Sequence, residues 1–425
     1  MKDSVGHTVS GCNAPALDLL EQALHAFRCF AGNPLASADA ALAAAPELVM
    51  GHVLRAWLHL LATEASAVPI AREALEAARA LPHDAREGMH LRAIEALCNG
   101  RWHEAGRVLE DLSVNWPRDA LALQAGQQVD FFVGDTRMLR DRLARAMPAW
   151  SAALPGWHAV LGMYAFGLEE NGDYRRAEAL GRDAVAIEPR DAWAQHAVVH
   201  VLEMQGRRDD GIRWMLDQPG WREDSFLAVH NGWHLALHHL AQGDTTRVLE
   251  LYDGPIHGHR PEIVLELVDA SALLWRLALL DVDVGTRWAP LAERWAPHAG
   301  SGHYAFNDLH AAMAFACAGR DDLVRTLRAA QAAAMARDDD NAAFTREVGA
   351  PATEAVIALQ QHDRARATDL LRSVRSRAHR FGGSHAQRDV LDLTLIRAAQ
   401  LDGQVALARA LEAERAALAA QRAAR

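Results

Sequence analysis

Long apolar runs are missing from this chain. No stretch reaches the roughly 20 apolar residues that span a bilayer, so no membrane helix is expected. The opening Met1-Lys2-Asp3-Ser4-Val5-Gly6-His7 lacks the apolar core of a signal peptide. Cysteine is scarce: Cys12, Cys29, Cys98 and Cys317 lie far apart, with no Cys-x-x-Cys. That spacing argues against a disulfide framework and against zinc ligation, and it reads as small core residues in a reducing compartment. A cytoplasmic setting is the expectation. Positive charge is also short. The 44 Lys and Arg against 55 Asp and Glu leave a formal charge of −11, which argues against nucleic acid as the main partner. β-Branched runs are few, while alanine and leucine dominate, a composition that favours helix. Phosphate-loop, dinucleotide and nucleophile-elbow motifs are absent.

What is present is a turn that repeats. Gly100-Arg101, Gly134-Asp135, Gly172-Asp173, Gly206-Arg207 and Gly243-Asp244 recur at spacings of 34, 38, 34 and 37 residues. Each glycine closes one helix-compatible run, and a second run follows within a few residues. A period near 34 is that of a tetratricopeptide repeat, one helix–turn–helix per unit. The predicted fold is therefore all-α, a tetratricopeptide-like helical-hairpin solenoid (an αα-superhelix). Such a fold escapes the size limit on a single core, because each unit packs only on its neighbours. The 425 residues, 50% apolar and 23% charged, read as one continuous globular domain. Within it, 1–82 holds N-terminal helices, 83–285 regular repeats, and 286–425 looser repeats and a cap.

The element pattern supports this. An amphipathic segment over 14–31 precedes the turn Gly32-Asn33-Pro34, and further helices are predicted over 46–63, 68–80, 84–98 and 102–114. The unit at 158–189 fits the repeat consensus best, with Tyr174, Ala177, Ala184 and Pro189 at the spacing of its second helix and terminal proline. Pairs follow over 192–217, 225–252 and 262–278, with a longer loop from Tyr252 to Arg260. Beyond Gly285 pairs are predicted near 303–336, 342–374 and 386–420. The alanine-rich end, 406–425, has the charged face of a capping or partner helix, and a homodimer is compatible with it.

The functional signal is histidine. Eleven of the 22 histidines fall between His196 and His310. His196, His200 and Glu203 are spaced by four and three, which puts them on one helix face. Two imidazoles at i and i+4 can share a metal, with the carboxylate as third ligand. His230, His234 and His238 repeat the geometry one unit on. This is not the His-Glu-x-x-His protease motif, which needs glutamate beside the first histidine. The competing structural reading is that these histidines bond one another, Asp269 or backbone carbonyls. Asp269 sits inside the apolar run Leu267-Val268-Asp269-Ala270, where an isolated charge is expensive and a partner is required. Asn307-Asp308, with His303 and His310, form a further polar cluster. Gly382-Gly383-Ser384-His385-Ala386-Gln387-Arg388-Asp389 reads either as an anion-binding helix start, with Arg388 as a fork of donors, or as an ordinary helix start capped by Ser384.

Several of these segments together resemble the tetratricopeptide-repeat protein 38 family. They are Gly162-Met163-Tyr164-Ala165-Phe166-Gly167-Leu168-Glu169-Glu170, Asp191-Ala192-Trp193 leading to His196-Ala197-Val198-Val199-His200-Val201-Leu202-Glu203-Met204, His230-Asn231-Gly232-Trp233-His234, Val268-Asp269, Phe306-Asn307-Asp308, and Gly383 to Asp389. The similarity runs from roughly 80 to 400 in order. His-Asn-x-Trp-His and Gly-Gly-Ser-x-Ala-Gln-Arg-Asp carry most of its specificity. His238 and His239 fall outside the pattern, and His385 lies at a variable position. The resemblance implies the repeat fold and one assembled site, but no settled activity.

Two functions are expected from different classes. In the first, a groove site captures a small polar or anionic ligand. His196, His200, His234 and Asp269 supply acid–base chemistry, and His230, Asn231, Trp233, Asn307, Asp308, Gln387, Arg388 and Asp389 bind. A divalent metal such as zinc on His196, His200, Glu203 and His234 would make it a metal-assisted hydrolase. In the second, the wall is a non-catalytic scaffold for an extended peptide.

Overall fold

The computed structural model describes residues 1–259 and 263–424. Among these residues every regular element is a helix, and strand pairing is confined to two isolated bridges, Lys2–Thr8 and Ala31–Ser225. The all-α class holds. No helix is long and apolar enough to cross a membrane among the described residues. The expected loop end at Arg260, the helix start at 262 and Arg425 lie outside them.

Helix pairs are made by one repeated backbone device. At Gly100, Gly134, Gly172, Gly206 and Gly243 the chain takes a left-handed conformation, with φ between 68° and 80°. The next residue's N–H then reaches back to the carbonyl five residues earlier: Arg101 to Ala96, Asp135 to Asp130, Asp173 to Leu168, Arg207 to Leu202 and Asp244 to His239. This satisfies helix-end carbonyls that would otherwise be orphaned. The same bond recurs at Val282 to Leu277, Arg320 to Phe315, Asp363 to Ala358 and Gln404 to Ala399. The left-handed residues there are Asp281, Gly319, His362 and Gly403. The turn therefore recurs past 285, at the wider spacings of 38, 43 and 41 residues between positions 281, 319, 362 and 403. It escapes a search for glycine because Asp281 and His362 stand at two of the turns.

Pro34–Ala44 and Trp288–Trp295 are helices where none was expected. Pro34–Ala44 has almost no amphipathic pattern, since its apolar residues are mostly alanine. Its ends explain it: the Asn33 side chain accepts from the Ala36 N–H at 2.9 Å, and Pro34 occupies the first turn.

The chain forms two compact units. The first comprises Met1–Val201 with Gln218–Ala228. In it Val49–Leu60 packs on Ala67–Arg79 and on Ala85–Cys98, and Trp157–Glu170 packs on Tyr174–Ile187. A Cβ at Gly162 would meet the Ala194 Cβ at 2.9 Å, so glycine allows two helices of successive pairs to approach closely. Ala177 and Ala184 are fully buried, as close helix packing requires.

The second unit comprises Leu202–Asp217 and the chain from Val229 onward. Here Val264–Leu279 packs on Ala305–Cys317, which packs on Ala350–Gln360. His385–Leu401 returns to Val264–Leu279, where Trp275 Nε1 donates to Thr394 Oγ1 at 2.8 Å. Trp295 Nε1 donates to Ser271 Oγ at 2.8 Å. Both indoles thus bury a large apolar surface without orphaning their one donor.

Candidate functional site

The densest polar arrangement lies within the second unit, on three helices. Ala228–Ala241 carries His230, Trp233 and His234; Val264–Leu279 carries Asp269 and Arg276; Ala192–Met204 ends in this unit with Glu203. His230 and His234 are one turn apart, with ring centroids 4.8 Å apart and planes at 86°. Each imidazole is held from behind by a carboxylate. His230 Nδ1 lies 2.9 and 3.0 Å from the two Asp269 oxygens, and His234 Nδ1 lies 2.8 Å from Glu203 Oε2. An ionised carboxylate only accepts, so each Nδ1 carries the hydrogen and each Nε2 carries the lone pair. Asp269 therefore has the partner that its apolar surroundings demand.

Trp233 organises the rest. Its ring stacks on His230 at 5.6 Å with planes 15° apart, and meets His234 edge-on at 4.8 Å. The Arg276 guanidinium lies 5.2 Å from the same ring. Arg276 is buried and stands two turns beyond Asp269 on one helix face. It donates to the carbonyls of Ala386 at 2.7 Å and Ala272 at 3.2 Å. Burial pulls its pKa down, while the charges of Asp389, Glu203 and Asp269 oppose that shift. A guanidinium stays protonated regardless. The site therefore holds a buried cation whose hydrogen bonds go to neutral carbonyls. Arg276 was not singled out from the sequence, although Leu273-Leu274-Trp275-Arg276-Leu277 interrupts an apolar run just as Asp269 does.

The Gly-Gly-Ser segment reaches this site through Arg276, and its own side chains are engaged locally. Ser384 and Gln387 form a reciprocal cap: the Ser384 hydroxyl accepts from the Gln387 N–H, and Gln387 Oε1 accepts from the Ser384 N–H at 3.0 Å. Arg388 donates to the Gly383 carbonyl. Asp389 is paired with Arg415. Asn231 is fully buried on the histidine-bearing helix. Asn307 and Asp308 lie buried on Ala305–Cys317. The Asp308 carboxyl sits against Gln331, and burial pushes its pKa up to about 7. His310 Nδ1 donates to the Phe306 carbonyl at 2.8 Å, and burial lowers its pKa to about 4, so it is neutral at pH 7.

The remaining candidates belong to the first unit. His196 and His200 have ring centroids 4.4 Å apart, and Phe166 stacks on His196 at 5.3 Å. His200 Nδ1 lies 3.4 Å from Glu169 Oε2. Glu169, Glu170 and His200 bring donor atoms within 4.8 Å of one another, all buried. These two glutamates were not picked out as site residues from the sequence; two adjacent acids ending an apolar helix were the available signal.

A rule connects the units' chemistry to the repeat. Glu169 faces His200 and Glu203 faces His234, each 31 residues on, and the two pairs are offset by one period of 34. Elsewhere histidine meets aspartate differently. Asp119 takes His90 Nε2 at 3.1 Å and Asp191 takes His158 Nδ1 at 2.7 Å, and each aspartate also caps a helix, bonding the N–H of Ala122 and Ala194. Those aspartates have a structural duty of their own. Glu169, Glu203 and Asp269 sit inside or at the end of their helices, not at a helix start. No protein-family model matches the chain.

Proposed function

We propose that the chain is a tetratricopeptide-like helical-repeat protein, similar to the tetratricopeptide-repeat protein 38 family, that captures a small anionic ligand at the His230–His234–Arg276 site. The observation that carries this reading is the buried Arg276 guanidinium on the Trp233 ring, which both imidazoles also touch, with a carboxylate behind each imidazole. A buried cation hydrogen-bonded only to neutral carbonyls has no acid in contact with it, and the charges of Asp389, Glu203 and Asp269 offset its desolvation only in part. An anionic group of the ligand supplies the remainder, with Trp233 as the apolar wall. His230 and His234, held at Nδ1, present Nε2 as a base, and Asp269 and Glu203 stabilise the imidazolium that proton transfer creates. Acid–base chemistry on a small polar substrate follows from that arrangement.

A second reading rests on the same carboxylates. Metal-bound histidines commonly donate their other nitrogen to a carboxylate, which fixes the ring and raises its basicity. His230 and His234 fit that role through Nε2, with Asp269 and Glu203 as outer partners. Glu203 then orients His234 and is not itself a ligand. A divalent ion there would polarise the ligand or activate a water.

The test is thermal denaturation of the full chain with and without inorganic phosphate or acetate, alongside elemental analysis. Stabilisation in the wild type that disappears in Arg276→Met and His230→Ala supports the anion site. Stoichiometric metal lost in His234→Ala moves the reading to the metal form. Identical behaviour of all variants, with and without anion, removes the site and leaves the peptide scaffold.

A further inference from the structure

We infer that the first unit carries a metal site for a zinc-type, borderline-soft divalent cation, built from His25, Cys29 and His158, with the Glu188 carboxylate beside His25. It shares no residue with the proposed ligand site.

His25 and Cys29 are one turn apart at the end of Ala14–Cys29, and His158 comes from the first turn of Trp157–Glu170. Their donor atoms all lie within 4.8 Å of one another. Cys29 Sγ is 3.8 Å from His25 Nε2, and Glu188 Oε2 is 3.6 Å from the same nitrogen. A tetrahedral ion with bonds of about 2.3 Å to sulfur and about 2.0 Å to nitrogen or oxygen spaces its ligands by roughly 3.3–3.6 Å. These two separations are close to that, and His25, whose side chain is 49% exposed, has room to close the remainder.

The independent observation is His158. It is 5% exposed, its Nδ1 is fixed by Asp191 at 2.7 Å, and its buried Nε2 has no hydrogen-bond partner. A buried nitrogen lone pair left unanswered is costly. The carboxylate–histidine arrangement is also the one that orients a metal ligand. The local charges are mixed: the carboxylates outweigh the guanidinium groups at Cys29, and Arg28 outweighs Glu188 at His25. Glu188 and Asp191 contribute negative charge, as does the carboxyl end of the Ala14–Cys29 helix. Arg28 and Arg190 are the opposing charges at His25 and Cys29. An arriving dication takes the thiolate and releases one proton to solvent. Nothing in the sequence joined His158 to a cysteine 129 residues away, so Cys29 passed as a core residue.

Cobalt(II) separates this site from the His230–His234 pair of the second unit, whose proposed ligands include no thiol. Full-length protein stripped with chelator and reloaded with cobalt should show a thiolate-to-cobalt charge-transfer band and intense tetrahedral ligand-field bands. Cys29→Ser should abolish the charge-transfer band with its helical circular dichroism unchanged, while Cys98→Ser keeps it. Asp191→Asn, which can still cap its helix, should weaken binding by about tenfold to a hundredfold. Cobalt bound with no thiolate band, or a band that survives Cys29→Ser, overturns the proposal. Loss of that band leaves the His230–His234 reading intact, and its own variants leave the band in place.

Discussion

At the residue scale the informative side chains are charges in dry places. Asp269 was legible because one acid in an apolar helix demands a partner, but which partner was not. The answer, His230, comes from another helix 39 residues away. Arg276 carries the same signal and makes the sharper prediction. Replacing a buried charge that has no ionic partner by an apolar side chain of similar volume is often nearly neutral. Arg276→Met should therefore change the unfolding free energy by no more than about 1–2 kcal/mol, part of it from the bonds to Ala386 and Ala272. It should remove any stabilisation by phosphate. A collapse of the fold instead would make Arg276 a structural residue. Asp308 yields a pH prediction. Its folded pKa, about 7, lies above the ordinary 3.8, so the folded state holds a proton that the unfolded state has lost. Its stabilising share is complete below about pH 4 and is lost as pH rises through 7. His303 and His310, lowered to about 4 by burial, act in the opposite direction, their share being lost as pH falls from 6.5 through 4. Asp308→Asn should raise the unfolding free energy read from urea denaturation at pH 8 by about 1–3 kcal/mol, and leave it nearly unchanged at pH 4. An equal shift at both values would refute the assignment.

At the element scale the turns explain what the sequence could and could not disclose. Five glycines at spacings near 34 were readable because glycine enters the left-handed region without strain. Asp281 and His362 make the same turn at φ of 59° and 64°, so the device is present where its usual residue is not. Pro34–Ala44 was missed for another reason: alanine marks no apolar face, and only the Asn33 cap announces the helix. Substitutions at the turns test the backbone argument separately from packing. An added Cβ at Gly206 would touch nothing within 4 Å, so Gly206→Ala probes conformation alone and should destabilise by about 1 kcal/mol. His362 is exposed, and His362→Gly should stabilise by about 0.5–1 kcal/mol, since it relieves a left-handed non-glycine. Chemical denaturation of both variants reads the two signs; the same sign for both would show that the left-handed turn is not what these positions contribute.

At the scale of the whole molecule the two units do not part at a single point in the chain. Residues 202–217 belong to the second unit, and 218–228 return to the first. That return has a purpose visible in its bonds. Phe30, left-handed at φ 53°, ends the first helix with its carbonyl turned outward. The Ser225 hydroxyl and the Phe226 N–H both donate to that carbonyl, at 3.0 and 3.1 Å, and the Asp224 carbonyl accepts from the Gly32 N–H at 2.7 Å. Phe226 packs on Phe30 at 5.6 Å, and Phe30 stacks on Trp193 at 5.2 Å. Trp221, 2% exposed, is buried in the same segment. Two fragments isolate this contribution. Residues 1–228 retain the segment, and 1–217 differ only in lacking it. Three hydrogen bonds worth about 1 kcal/mol each, together with the aromatic burial, predict that 1–217 is less stable by about 2–4 kcal/mol in urea denaturation. The same segment orders the turn that directly follows Cys29. Fragment 1–217 should therefore bind cobalt more weakly than 1–228, with a fainter thiolate band, even under conditions where both are folded. Equal midpoints and equal cobalt spectra would show that the helix end bearing Cys29 is held without the returning segment.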